Sequence, residues 1–236
     1  MTGALALCRR EFNAYFDSPV AYVFIISFLA VTYWFFFRGF FVGNQIQMRG
    51  FFFFLPWVFL IFIPAVTMRL WAEEKKMGTV EILLTLPVRE YELVLGKFMA
   101  GFLFVFVSVF FSFSLPLTLG CLGKLDWGPV VGGYLGTCFL GGAYLSIGLF
   151  LSNFTKNQIV AFILTILLSF ILFILGEDIV LANLPEFWAP FFSFMGLGRH
   201  FNSIQRGIID SRDIIYYLSV TGFFLFMNVI YVTRRR

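Results

Sequence analysis

Charge is scarce in this sequence. Asp, Glu, Lys and Arg make up 13% of its 236 residues, where soluble domains carry about 25%. A surface facing water needs more than that. A single histidine, His200, excludes a multi-histidine metal site. The three cysteines, Cys8, Cys121 and Cys138, form no CxxC pair, and an odd count suits no disulfide framework. They read as small apolar fillers. A GxSxG nucleophile elbow and an HExxH helix are both missing. So is a phosphate-binding loop: Gly120-Cys121-Leu122-Gly123-Lys124 has a Gly-Lys pair but neither the spacing nor the hydroxyl that would hold Mg²⁺. No catalytic residue, metal site or cofactor site is therefore expected in this chain. The net charge of +4 is small and scattered, which argues against nucleic acid as a partner.

What is present is apolar. Hydrophobic residues reach 60%, 36 of the residues are Phe, and the mean hydropathy is +0.91. A hydrocarbon core of about 30 Å takes about 20 apolar residues of helix. Six runs read as spans, at about residues 19–42, 51–71, 93–120, 130–151, 158–176 and 214–232. The expected fold is an all-α integral membrane protein, residues 1–236 forming one transmembrane domain with membrane lipid as its solvent. The first apolar run starts late and is too long for a signal peptide, so the N-terminus is expected to be retained. Pro56 and Pro64 fall inside the second run, tolerable where neighbours satisfy the freed carbonyls. The fourth is rich in glycine, which lets helix backbones approach closely.

Three segments flank the spans. Residues 1–17 place Leu5, Cys8, Phe12 and Tyr15 on one helical face, either a helix lying at the membrane surface or a lead-in to the first span. Residues 177–213 hold apolar stretches too short to cross, which suit interfacial or re-entrant helices on the external side. Within them His200, beside Arg199, reads as an interfacial polar residue. Residues 72–92 form the most charged stretch.

With six spans, Arg9, Arg10, Arg69, Lys75, Lys76, Arg89, Lys97, Lys156 and the terminal arginines share one side. The positive-inside rule makes that side cytoplasmic, with both termini in the cytoplasm and residues 72–92 exposed there. The central parts of the spans carry no acidic residue and no histidine, which weakens an ion-coupled carrier.

In the charged loop, Glu73 and Lys76 are three apart and can pair on a helix face. Gly78 breaks that helix, Thr79 can cap a new one, Val80, Leu83 and Leu84 form an apolar stripe, and Pro87 helps end it. The result is a short amphipathic helix between charged flanks. It is either a simple connector or an element that passes the motion of a docked protein to the second and third spans.

The run Glu73-Glu74-Lys75-Lys76, Gly78-Thr79, Glu81, Leu83-Leu84, Leu86-Pro87 and Val94-Leu95-Gly96-Lys97 resembles the loop between spans two and three of ABC-2-type exporter permeases. Ser18-Pro19-Val20-Ala21-Tyr22 is similar to the gliding-motility-associated branch of those permeases. So is the stretch from His200-Phe201 through Arg206-Gly207-Ile208-Ile209-Asp210 to Arg212-Asp213-Ile214-Ile215-Tyr216. The resemblance covers nearly the whole chain. It implies six spans, a surface-lying N-terminal helix, a cytoplasmic coupling helix at about residues 79–86, and re-entrant helices at about residues 184–206. It also implies a second permease half, as homo- or heterodimer, and a separate ABC ATPase subunit that binds ATP and Mg. On this reading the chain is a non-catalytic exporter subunit of the cytoplasmic (inner) membrane. Glu73, Glu74, Lys75, Lys76, Gly78, Thr79, Glu81, Leu83, Leu84, Pro87 and Arg89 would couple it to the ATPase. A stand-alone channel or secondary carrier is the alternative, with Ser108, Ser112, Ser114 and Thr118 as polar lining or as packing hydroxyls. A non-transporting scaffold fits the composition but leaves the charged loop unexplained.

Overall fold

The computed structural model describes residues 2–43, 47–81, 88–183, 185 and 187–234. Among these residues every regular element is a helix. In chain order they are α1 (Thr2–Phe16), α2 (Pro19–Gly43), α3 (Arg49–Thr67), α4 (Ala72–Met77), α5 (Glu90–Phe111), α6 (Ser114–Leu122), α7 (Trp127–Ser152), α8 (Gln158–Ile174), α9 (Asp178–Leu181), α10 (Ala189–Met195), α11 (Leu197–Ile204) and α12 (Ser211–Thr233). Five helical segments, 19–41, 49–77, 90–122, 127–152 and 211–233, are long and apolar enough to cross a bilayer. The chain is an all-α integral membrane protein. The fifth run expected from the sequence is shorter: α8 has 17 residues, about 26 Å of helix and the lower limit for a span. Asn157 fixes its start by accepting from the Ile159 N–H at 3.0 Å.

α7 is the central helix, packed against α3, α5, α8, α11 and α12. Its glycines make this possible. A Cβ on Gly133 would strike the Phe52 ring of α3, one on Gly148 would strike the Thr67 hydroxyl, and one on Gly132 would lie 2.6 Å from the Ile204 carbonyl oxygen of α11. The main core joins Phe52, Leu55, Phe59 and Ile63 of α3 to Leu140, Tyr144 and Leu145 of α7. α12 and α2 are peripheral, with Trp34, Phe41, Phe223 and Phe226 exposed, as lipid-facing helices require.

The third span is not one helix. The turn at Ser112 and Phe113 separates α5 from α6. Pro116 has no N–H to return to the Ser112 carbonyl, which accepts instead from the Leu115 N–H at 3.1 Å and the Tyr134 hydroxyl at 3.0 Å.

The N-terminal helix also differs in detail from expectation. α1 buries Ala4, Leu7 and Cys8, while Leu5 is 58% exposed. The cause is a notch at Gly96 of α5, where a Cβ would lie 2.9 Å from Leu7 and 3.0 Å from the Ala4 carbonyl oxygen. α1 beds into that notch and turns Leu5 away.

Residues 178–204 are a chain of short helices, with Leu184 and Glu186 outside the described residues. α11 buries Leu197, Phe201 and Ile204 in the main core, whereas Phe187, Phe191 and Phe194 are exposed. His200 clasps this segment to α12. Its Nδ1 meets Asp213 Oδ1 at 2.7 Å and its Nε2 meets the Phe194 carbonyl oxygen at 2.9 Å. Its ring stacks on Tyr216 at 4.0 Å, and the Tyr217 hydroxyl donates to the Leu197 carbonyl at 2.7 Å.

Candidate functional site

At the opposite end of the bundle from α11, the chain gathers its charged segments. Leu7 of α1, Leu70 and Trp71 after α3, Leu93 and Val94 of α5, Leu149 of α7 and Val232 of α12 form one apolar cluster. The first and last helices therefore meet at the same end, together with α4.

α4 is built onto the end of α7. The Ser152 hydroxyl oxygen accepts from the Trp71 and Ala72 N–H groups, each at 3.2 Å, and its proton goes to the Met68 carbonyl at 3.3 Å. A helix start leaves such N–H groups without partners, and here a neighbouring span supplies one. The Lys75 ammonium, one turn on, donates to the backbone and side-chain oxygens of Asn153. It also lies 5.2 Å above the Tyr231 ring. The Asn153 amide donates to Asn228 Oδ1 at 2.9 Å, which brings in α12.

A second buried cation faces the other side of α4. The Lys97 side chain is 1% exposed, and its Nζ lies 2.6 Å from Glu74 Oε1 and 3.4 Å from Glu11 Oε1. The Trp71 ring lies 5.0 Å from the same nitrogen, a favourable cation–π distance. One lysine of α5 thus ties α1 and α4 together. An isolated charge at this burial would be costly, and the two carboxylates and the ring are what make it tolerable.

The residues expected to couple the chain to a partner divide accordingly. Glu74 and Lys75 turn into the chain's own helices. Lys76, Gly78, Thr79, Glu81 and Arg89 are exposed, and Glu73 is half-buried. Glu73 and Lys76 form no ion pair among the described residues; an exposed pair of this kind gains little. α4 stops at Gly78, whose φ of +74° suits glycine and whose N–H returns to the Glu74 carbonyl. Thr79 sends its hydroxyl to that same carbonyl at 3.3 Å, backward and not into the helix that follows. Residues 79–81 are helical. Leu83, Leu84 and Pro87 lie outside the described residues. Arg89 caps α5, its N–H reaching Glu92 Oε2 at 3.3 Å.

Sequence reasoning used Lys97 as one letter of a motif and missed its partners. A lone lysine two turns into an apolar helix is the signal that would have found it. Ser152, Asn153 and Asn228 gave no comparable warning. The hydroxyls considered as a polar lining are satisfied by nearby carbonyls, Ser108 by Phe104, Ser112 by Val109, Ser114 by Phe111 and Thr118 by Leu115, and Ser112 and Ser114 also meet the hydroxyls of Tyr134 and Tyr33 on other helices. They are packing hydroxyls. Among the described residues no three His, Cys, Asp or Glu side chains converge as a metal site.

The sequence model of the family described as ABC-2 family transporter protein matches residues 16–233. No curated protein matches the chain.

Proposed function

The chain belongs to the ABC-2 transporter family, and we propose that it is the membrane-spanning subunit of an ABC exporter, driven by ATP hydrolysis in a separate ATPase subunit. The observation that carries this reading is the mounting of the 72–81 segment. Its inner face is fixed to α1, α5, α7 and α12 through Lys97, Ser152 and Lys75. Its outer face leaves Lys76, Thr79 and Glu81 at the surface. A mere connector needs no such anchorage. A segment that receives force from a docked protein does, because a loosely held one would absorb the motion.

On this reading Lys76, Glu81 and Arg89 make the polar contacts to the ATPase, Glu74 and Lys75 hold the segment from behind, and Glu73 and Thr79 face the cavity beside α1. The excess of Lys and Arg at this end makes it cytoplasmic by the positive-inside rule, with both termini there. A second permease half completes the pathway. The gliding-motility-associated branch is the part of the family whose motifs the chain resembles.

The test is an affinity pull-down of the tagged chain from its native membranes, with partners identified by mass spectrometry. A stoichiometric ATPase subunit is the expected result. An intact solubilised complex without an ATPase overturns the reading.

A further inference from the structure

Beside α4 lies an open cavity of about 830 Å³, lined by α1, the start of α2, the end of α3 and Phe104 of α5. That volume falls within the roughly 300–1,000 Å³ of small-molecule sites. Its walls differ sharply in chemistry. Ala21, Phe24, Val66 and Phe104 make an apolar interior and pack in one hydrophobic cluster. Arg10, Arg69 and Glu73 stand at the polar mouth.

Arg10 and Arg69 are both exposed, and neither forms an ion pair among the described residues. Of the carboxylates that share the cavity wall with them, Glu11 and Glu74 are engaged by Lys97. Behind the arginines the Tyr15 hydroxyl is shielded from solvent and has no hydrogen-bond partner. The mouth therefore offers two unpaired guanidinium groups, whose planar donor forks match phosphate oxygens. Glu73 adds one acidic group beside them.

We propose that this cavity binds a zwitterionic phospholipid, its acyl chain against Phe24, Val66 and Phe104, its phosphate on Arg10 and Arg69, and its ammonium toward Glu73. Each part of the ligand answers one part of the wall. Apolar chains alone would leave two guanidinium groups facing the single carboxylate of Glu73, and a free phosphate would leave the aromatic interior empty. Because Met77 and Thr79 also line the cavity, a bound lipid touches the N-terminal helix and the 72–81 segment together. The inference rests on the membrane character of the fold and not on the exporter reading.

The experiment uses the full chain, delipidated in detergent, and reads lipid binding by native mass spectrometry. The probes are phosphatidylethanolamine, a diacylglycerol with the same chains, and glycerophosphoethanolamine. Phosphatidylethanolamine is expected to bind saturably at one per chain. Diacylglycerol should bind at least about tenfold more weakly, and glycerophosphoethanolamine should not displace the lipid. The Arg10→Gln/Arg69→Gln variant should lose about tenfold or more in affinity, the worth of a charge-assisted contact, with an unchanged melting temperature. Both residues are exposed, and the melting temperature checks that the fold is intact. Four outcomes overturn the proposal: equal binding of diacylglycerol, displacement by glycerophosphoethanolamine, undiminished binding by the double variant, and loss of protein association in that variant with lipid retention unchanged. The last would make the face a protein interface.

Discussion

Gly148 of α7 lies directly against the Thr67 hydroxyl of α3, so closely that a Cβ on the glycine would clash with that oxygen. Thr67 in turn bonds to the Pro64 carbonyl at 3.2 Å. The end of the proline-containing helix and the central helix are therefore matched in shape at a single point. Gly148→Ala is expected to lower stability by about 1–3 kcal/mol, the range for overpacking. Thr67→Ala removes the nearest obstructing atom but leaves the Thr67 Cβ 2.8 Å away, so it should restore part of the loss when combined with it. Thermal unfolding of the two single variants and the double variant in detergent measures the coupling. Strictly additive losses would refute the contact.

The buried lysine supports a second prediction. Lys97→Ala strands Glu11 and Glu74 and should destabilise the chain by about 3–5 kcal/mol, as breaking a buried ion pair does. Adding Glu11→Gln and Glu74→Gln should recover part of this. Unfolding midpoints test both, and an unaltered midpoint for Lys97→Ala would show that the cluster contributes nothing.

Inner and outer residues of the 72–81 segment should separate by assay. Lys76→Glu with Glu81→Lys is expected to leave the melting temperature unchanged and to weaken co-purification of the ATPase about tenfold, about 1.4 kcal/mol. Glu74→Lys should instead lower the melting temperature, since it places a cation against Lys97. Undiminished ATPase recovery with the first variant would remove Lys76 and Glu81 from the proposed contact.

His200 clasps α11 to α12, so His200→Ala should loosen the 178–204 segment without unfolding the bundle. Amide exchange across residues 194–204 should quicken, by about 10- to 100-fold for a charged hydrogen bond worth about 1.5–3 kcal/mol. Exchange in α7 should not change. Unaltered exchange at 194–204 would mean that Tyr216 and Tyr217 hold the segment alone.

Topology is tested by single cysteines in a background lacking Cys8, Cys121 and Cys138. Lys76→Cys and Lys124→Cys should react with impermeant reagents from opposite faces of the membrane. Reaction from one face would contradict the alternation of the helices.

Much of this was legible in the sequence, for identifiable reasons. The spans announce themselves because burying apolar surface in lipid needs length and composition, both local properties. The break at Gly78 is local too, since a left-handed residue ends α4 whatever surrounds it. The division of Glu74 and Lys75 from Lys76 was not legible, because it depends on Ser152, Asn153 and Lys97, which are 80, 78 and 23 residues away from their partners Ala72, Lys75 and Glu74 along the chain. The spacing of Leu5, Cys8, Phe12 and Tyr15 shows an apolar face of α1 but not which side packs inward, because Gly96, on another helix, seats Ala4 and Leu7. The Ser112–Phe113 turn stood in plain view, as a serine four residues before a proline, yet the apolar run passed through it uninterrupted.

The order of residues around Lys97 also bears on how the protein is made. Both carboxylates that neutralise it, Glu11 and Glu74, precede it in the chain. Synthesis proceeds from the N-terminus, so each counter-ion has been translated before the third span leaves the ribosome. A lysine that would otherwise oppose insertion of an apolar helix arrives where its partners are already waiting. A truncated chain lacking α1 would reach that step with one carboxylate fewer, and insertion of the third span is where the deficit would first be felt.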